Sequence, residues 1–110
     1  MLEDENESMY EGEWDRKRNI IDGRGVKIWK DGARYEGMWK NNKHHGYGRI
    51  IYPDGEFYVG EWKNNVIEGM GLYTYSYGKI CEGQWADGIL NGRGKEITNE
   101  YEFDGTFYKG

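Results

Sequence analysis

The sequence predicts an all-β protein, a single-layer twisted solenoid of consecutive antiparallel β-hairpins. Two observations predict it. The run Tyr10-Glu-Gly-Glu-Trp14 returns as Tyr35-Glu-Gly-Met-Trp39, Tyr58-Val-Gly-Glu-Trp62 and Cys81-Glu-Gly-Gln-Trp85, at intervals of 23 to 25 residues, and self-similarity at a short fixed period marks a stacked array. The 110 residues are only 36% hydrophobic but 16% aromatic, and mean hydropathy is −1.03. That is too polar for a thick core and too aromatic for disorder, whereas stacked aromatics reconcile the two.

Residues 1–9 read as a flexible acidic lead-in. The array follows over 10–110, with units at 10–34, 35–57, 58–80 and 81–107 and the start of a truncated fifth at 108–110, so the chain is expected to be a piece of a longer protein. Within a signature the period is two: Tyr10, Gly12 and Trp14 share one face of a strand, Glu11 and Glu13 the other. A polar turn such as Lys40–Lys43 or Lys63–Asn65 then leads into a second strand that begins Gly-x-Gly, at Gly23 and Gly25, Gly46 and Gly48, Gly69 and Gly71, Gly92 and Gly94. Along it Gly46, Gly48, Ile50 and Tyr52 alternate onto one face, so each unit is an antiparallel hairpin.

A further glycine follows seven residues later at Gly32, Gly55 and Gly78. In the fourth unit the next glycine is Gly105, eleven residues on, which predicts a four-residue insertion around 97–100; the first unit is two residues longer between Trp14 and Gly23. Glycine inside a strand weakens it unless something must approach closely. The rings of Tyr and Trp are therefore predicted to lie over the bare glycine backbone of the neighbouring hairpin, each burying a large apolar area with its polar atom near the surface.

These units resemble the MORN (membrane occupation and recognition nexus) repeat, whose pattern is close to Tyr-x-Gly-x-Trp, a polar turn, Gly-x-Gly and a later Gly. The resemblance covers residues 10–110, with one hairpin per repeat, and departs at Cys81, which stands in a Tyr slot, and at the two insertions. It implies an assembly platform or membrane-contact module, in a cytoplasmic, cytoskeletal, ciliary or membrane-peripheral setting.

Net charge is −5, but it is uneven: residues 1–15 carry −7, residues 16–50 carry +7 and residues 51–110 carry −5. Arg16, Lys17, Arg18, Lys40, Lys43 and Arg49 belong to the basic zone, which reads either as a contact for an anionic membrane surface or as a solvated, turn-rich face. Nucleic acid is not an expected partner, because the aromatics sit in slots that packing requires and the whole chain is acidic.

No catalytic, cofactor or metal site is expected. His44 and His45 are adjacent, face opposite ways on a strand and read as turn residues. The Gly-x-Gly pairs lack the helix and Lys of a phosphate loop. Glu11, Glu13, Glu61 and Glu82 read as solubilising groups, and Cys81, the one cysteine, as a buried stand-in for Tyr in a reducing compartment. The acidic N-terminus lacks the basic and apolar regions of a secretion signal, and no run is long enough to span a membrane.

Three functions fit. The first is a non-catalytic scaffold that takes a partner helix or peptide along an aromatic groove, with ring edges of Tyr35, Trp39, Tyr58 and Trp62 as anchors. The second is an anionic-phospholipid module, the third an accessory part of a larger enzyme. Open solenoid ends also leave strand edges for self-association.

Overall fold

The computed structural model describes residues 2–3, as backbone, and residues 8–108. Among the described residues, ten strands form one antiparallel sheet in chain order. They are β1 (Leu2–Glu3), β2 (Met9–Asp15), β3 (Ile20–Ile28), β4 (Arg34–Lys40), β5 (Lys43–Ile51), β6 (Phe57–Lys63), β7 (Val66–Thr74), β8 (Ile80–Ala86), β9 (Ile89–Ile97) and β10 (Glu102–Phe107). The single layer of hairpins predicted from the repeats is what forms, in a body 49 × 24 × 17 Å.

Two kinds of turn alternate along the edges. At one edge Asn41-Asn42, Asn64-Asn65 and Asp87-Gly88 close two-residue hairpins with positive φ at both positions, the mirror-image turn that matches strand twist and that Asn, Asp and Gly tolerate best. The predicted two extra residues of the first unit lie here, in the longer turn 16–19. At the other edge the wider turns are closed by Trp29 N–H to Ala33 O, Tyr52 N–H to Glu56 O and Tyr75 N–H to Lys79 O, each 2.8–2.9 Å. Gly32, Gly55 and Gly78 have φ of 93–97° there.

The tight turns also stitch units together. Asn42 donates its N–H to Ile21 O (2.9 Å) and accepts from Ile21 N–H (2.7 Å), and Asn65 does the same with His44 at 2.9 and 2.8 Å. Gly88 keeps only the backbone half of that bond, to Ile67 O.

Tyrosine and tryptophan divide the packing. Tyr35 lies over Gly48 of its own hairpin, so that a Cβ on Gly48 would overlap the phenol; Tyr10 covers Gly25 and Tyr58 covers Gly71 in the same way. Tryptophan reaches the preceding hairpin instead: the indole N–H groups of Trp39, Trp62 and Trp85 donate to the carbonyls of Gly25, Gly48 and Gly71 at 3.0–3.1 Å. The expectation that both rings cover the neighbour is thus correct for Trp and corrected for Tyr. Tyr35 pairs directly with Ile50 and its ring leans over Gly48, two residues along the same strand, where the absence of a Cβ leaves room for it.

Edge-to-face contacts make the rings continuous. Trp39 meets Tyr35 and Tyr10 at 5.0 and 5.6 Å, Trp62 meets Tyr58 and Tyr35 at 5.4 and 5.5 Å, and Trp85 meets Tyr58 at 5.7 Å. Such pairs contribute about 0.5–1.5 kcal/mol each beyond their buried area.

The C-terminal register corrects the predicted unit boundary. Gly94 pairs with Gly105 just as Gly25 pairs with Gly37, Gly48 with Gly60 and Gly71 with Gly83. Gly105 is therefore the signature glycine of a fifth unit, not the turn glycine of a stretched fourth. Phe103 and Phe107 fill the Tyr and Trp slots, meeting at 5.4 Å and 90°. There is no four-residue insertion around 97–100: the turn Thr98–Tyr101, closed by Thr98 N–H to Tyr101 O at 2.9 Å, is shorter than its counterparts, and the fifth unit begins ahead of Tyr108.

The lead-in also differs from expectation where it is described. Leu2 pairs with Tyr10 and Glu3 with Met9, and Ser8 is buried; the remainder of the expected flexible stretch, and Lys109 and Gly110 of the expected fifth-unit start, lie outside the described residues.

Because Cys81 replaces the ring that would cover Gly94, the nearest atoms to a Cβ on Gly94 are Glu82 O at 3.0 Å and side-chain carbons of Leu90 and Phe107 at 3.2 and 3.3 Å. Gly48→Ala is expected to cost about 3 kcal/mol or more, the upper range for overpacking, and Gly94→Ala about 1 kcal/mol. Urea unfolding of the two variants checks this, and equal losses would contradict the Tyr-over-Gly interlock.

Candidate interaction site

The two faces of the sheet have different chemistry. The aromatic face is closed: Tyr35 and Tyr58 are 0% exposed, and Trp39 and Trp62 are also buried. The four anchors expected to show ring edges in a groove are therefore core. Alternation put them on one face correctly, but each Trp leans across to the preceding hairpin and seals that face. Burial raises the hydroxyl pKa of Tyr35 and Tyr58, which keeps them as donors to Met38 O (2.8 Å) and Glu61 O (3.1 Å).

His44 belongs to this core as well, contrary to its expected place in a turn. It lies in β5 two residues after the turn pair, opposite Trp39, stacks on Tyr35 at 3.8 Å and 3°, and meets Trp29, Trp39 and Trp62 edge-on at 4.8–5.8 Å. Its Nδ1 has no hydrogen-bond partner. Burial first, and the Lys27 ammonium second, push its pKa down to about 4. His45, on the other face, accepts from Asn64 N–H at 3.3 Å.

The opposite face is open and floored by glycine. Its most prominent side chains are the middle residues of the Gly-x-Gly pairs: Arg24, Tyr47, Met70 and Arg93, all exposed. With glycine on both sides each stands clear, Tyr47 at 63% and Met70 at 53% exposure. Beside them runs a cross-strand row of Val26, Glu36, Arg49, Val59, Leu72 and Glu82. A cleft of about 560 Å³ spans Tyr47, Val59, Met70 and Leu72, and one of about 340 Å³ spans Arg24, Val26, Met38 and Tyr47.

Charges on this face are partly self-paired. Glu36 holds Arg34 at 2.9 Å and Arg49 at 3.1 Å, and Arg93 lies 3.6 Å from Asp104. Arg24 and Glu82 make no ion pair among the described residues. Glu13 and Glu61, expected as solubilising groups, instead accept from Arg24 N–H (2.7 Å) and Met70 N–H (2.5 Å) across the strand irregularity, as Gln84 does from Arg93 N–H (2.9 Å). Met38 occupies that position in the second unit and has no oxygen to offer.

The basic set is divided. Arg16, Lys17 and Arg18 form the first tight turn, and Lys40 and Lys43 flank the second, so these five share one edge, joined by Lys63 at the third. Arg18 is held by Asp15 at 2.8 Å and keeps that carboxyl below its usual range. Arg49 is separate, on the glycine-floored face against Glu36.

Cys81 is buried, and burial raises its thiol pKa. Among the described residues no group of three His, Cys, Asp or Glu side chains could hold a metal ion, and no helix is long and apolar enough to cross a membrane.

His44 gives a pH signature. Its folded pKa of about 4 lies below the unfolded 6.5, so its contribution is fully present above pH 6.5 and is lost as pH falls towards 4, by roughly 3 kcal/mol in all. Urea unfolding between pH 7 and 4.5 is expected to show this decline in the wild type and not in His44→Phe, which keeps a flat ring on Tyr35. An unchanged slope in the variant would assign the acid sensitivity to other groups.

The repeat units match the family model described as MORN repeat over residues 10–34, 35–57, 58–78 and 81–99. No single curated protein matches the chain.

Proposed function

The chain belongs to the MORN-repeat family, whose repeats serve generally as protein or membrane interaction modules, and from that premise we propose a non-catalytic scaffold that takes a helix of a partner protein along the glycine-floored face. One observation carries this reading: Arg24, Tyr47, Met70 and Arg93 stand exposed in line at equivalent positions of four successive hairpins. Equivalent positions are two strands apart, about 9.5 Å. Seven residues of α-helix rise about 10.5 Å, so a helix laid along the array presents residues i and i+7 to Tyr47 and Met70. Acidic residues seven positions beyond either end would face Arg24 and Arg93. Buried aromatic and Met contacts with a charged rim are the usual build of a binding hot spot.

A cytoplasmic setting accompanies this reading, with cytoskeletal, ciliary or membrane-contact structures as the places where such a platform would act. It is tested by affinity capture with a Tyr47→Glu, Met70→Glu variant, both sites being exposed enough for the fold to tolerate the change. Proteins held by the wild type should be lost by this variant and should photo-crosslink to position 47. Full retention at an unchanged melting temperature would reject the face as the docking site.

The co-location of Arg16, Lys17, Lys40, Lys43 and Lys63 on the tight-turn edge favours a second reading, contact with an anionic membrane surface. Sedimentation with phosphatidylserine vesicles at low ionic strength should then carry the protein down, and Lys40→Glu with Lys43→Glu should release it. Binding that ignores salt, or none at low salt, would remove this reading.

A further inference from the structure

At the wide-turn edge, on the margin of the aromatic face, four tyrosines run outward from the core: Tyr52, Tyr73 and Tyr75 are partly buried against it, and Tyr77 is exposed. Tyr52, Tyr73, Tyr75 and Tyr77 form a ladder with successive ring centroids at 6.2, 4.5 and 5.6 Å and interplanar angles of 30–40°. Tyr73 anchors it against Trp85 at 6.2 Å, while Tyr77, at the outer end, is 67% exposed. The rings are held in place by polar ties between units. Glu56 accepts from the Tyr73 hydroxyl and from Ser76 N–H, both at 2.9 Å, which draws the third wide turn against the second.

The ladder already receives one cation of its own chain. The Lys79 ammonium sits 4.8 Å from the Tyr75 ring centroid and 3.3 Å from the Glu96 carboxylate, and Glu96 also accepts from the Tyr101 hydroxyl at 2.6 Å. A tyrosine face beside a carboxylate is thus a working cation seat in this molecule. More of the same chemistry is unfilled. The neighbouring wide turns carry Asp54 and Glu100, both exposed and without an ion pair among the described residues. Tyr77 is open to solvent, whereas Tyr75 already meets Lys79, Tyr73 and Tyr77.

We propose that this edge, with Tyr77 and the Tyr52–Tyr75 ladder flanked by Asp54 and Glu100, is a docking surface for a basic segment of a partner protein, which lays Arg or Lys side chains on the tyrosine faces and against the carboxylates. Arginine suits it better than lysine, because the planar guanidinium stacks on a ring and bonds a carboxylate at once and is less strongly hydrated. The surface is separate from the glycine-floored face, and the two can act on different segments of one partner or on two partners.

The test uses an eight-residue peptide of alternating Arg and Gly, with matched Lys–Gly and Glu–Gly peptides, titrated into the 110-residue protein and followed by amide chemical shifts. The Arg peptide should bind, shift amides of 52–56, 75–79 and 98–101, and exceed the Lys peptide; the Glu peptide should not bind. Tyr77→Ala should weaken the Arg peptide about 2- to 5-fold, the range of an exposed cation–π contact, while Tyr77→Phe, which keeps the ring, should retain it. Asp54→Asn with Glu100→Gln should weaken binding further and flatten its salt dependence. Tyr77 lies in an exposed turn and Asn keeps the Oδ1 that accepts from Glu56 N–H at 2.9 Å, so these variants should fold. Absence of binding, shifts confined to other surfaces, or equal affinity for wild type and Tyr77→Ala would overturn the proposal. None of these outcomes bears on the glycine-floored face.

Discussion

Everything in this molecule depends on how an aromatic ring meets a glycine. A single-layer sheet has no second layer to pack against, so it must bury area within its own face. Here the second glycine of the first three Gly-x-Gly pairs is clasped twice, by the phenol of its own hairpin and by the indole N–H of the next. For Gly48 these are Tyr35 and Trp62. The first contact folds the hairpin; the second joins it to its neighbour. Since Trp39 and Trp62 each also meet two tyrosines edge-on, hairpin formation and hairpin stacking are parts of one network, which is how short repeats of this kind escape the marginal stability of isolated hairpins.

That clasp decides where function can lie. It consumes the Tyr, Trp and His44 rings, so the signature that dominates the sequence is withdrawn from solvent. The clasped glycines face the rings, where a Cβ would overlap the phenol, so the opposite face is built by the residues that alternate with them. What remains accessible is what stands between glycines, namely Arg24, Tyr47, Met70 and Arg93, together with the two rows of turns. One edge is basic through Lys40, Lys43 and the first turn; the other is tyrosine-rich and acidic. An interaction module with two faces of this kind differs from a compact domain in that its partner surfaces repeat at the spacing of the hairpins.

Much of this was legible in the sequence because the repeat states it four times. Period-two alternation placed Tyr35, Gly37 and Trp39 on one face, and the polar turns placed the hairpins. What alternation cannot show is how far a ring leans, and that decided whether Tyr35 and Trp39 were anchors or core. His44 was misread because its neighbours in sequence, Lys43 and His45, are polar, whereas its neighbours in space are Tyr35, Trp39 and Trp62. The slot held by His44 is filled by Ile21, Ile67 and Leu90 in the other units, and aligning those positions would have marked it as buried. The fifth unit, expected to begin at 108, was placed too late for a similar reason: Phe103 and Phe107 preserve the shape of the signature but not its letters, and a turn without glycine, Thr98–Tyr101, removed the usual punctuation. The positions between the glycines carried a signal too, since in a strand they alternate onto the face opposite the rings.

The central claim is that each tryptophan locks its hairpin to the one before it. Hydrogen exchange of the indole N–H groups reports this bond by bond. Trp39, Trp62 and Trp85 donate to glycine carbonyls of the preceding unit, and Trp14 makes no such bond among the described residues. If the clasp holds the array together, the first three should exchange only through opening of the stacked units, with free energies close to that of global unfolding, while Trp14 exchanges far faster. Rapid exchange at Trp39, Trp62 and Trp85 under conditions where the strand amides stay protected would show that the hairpins stack without it and would contradict the account.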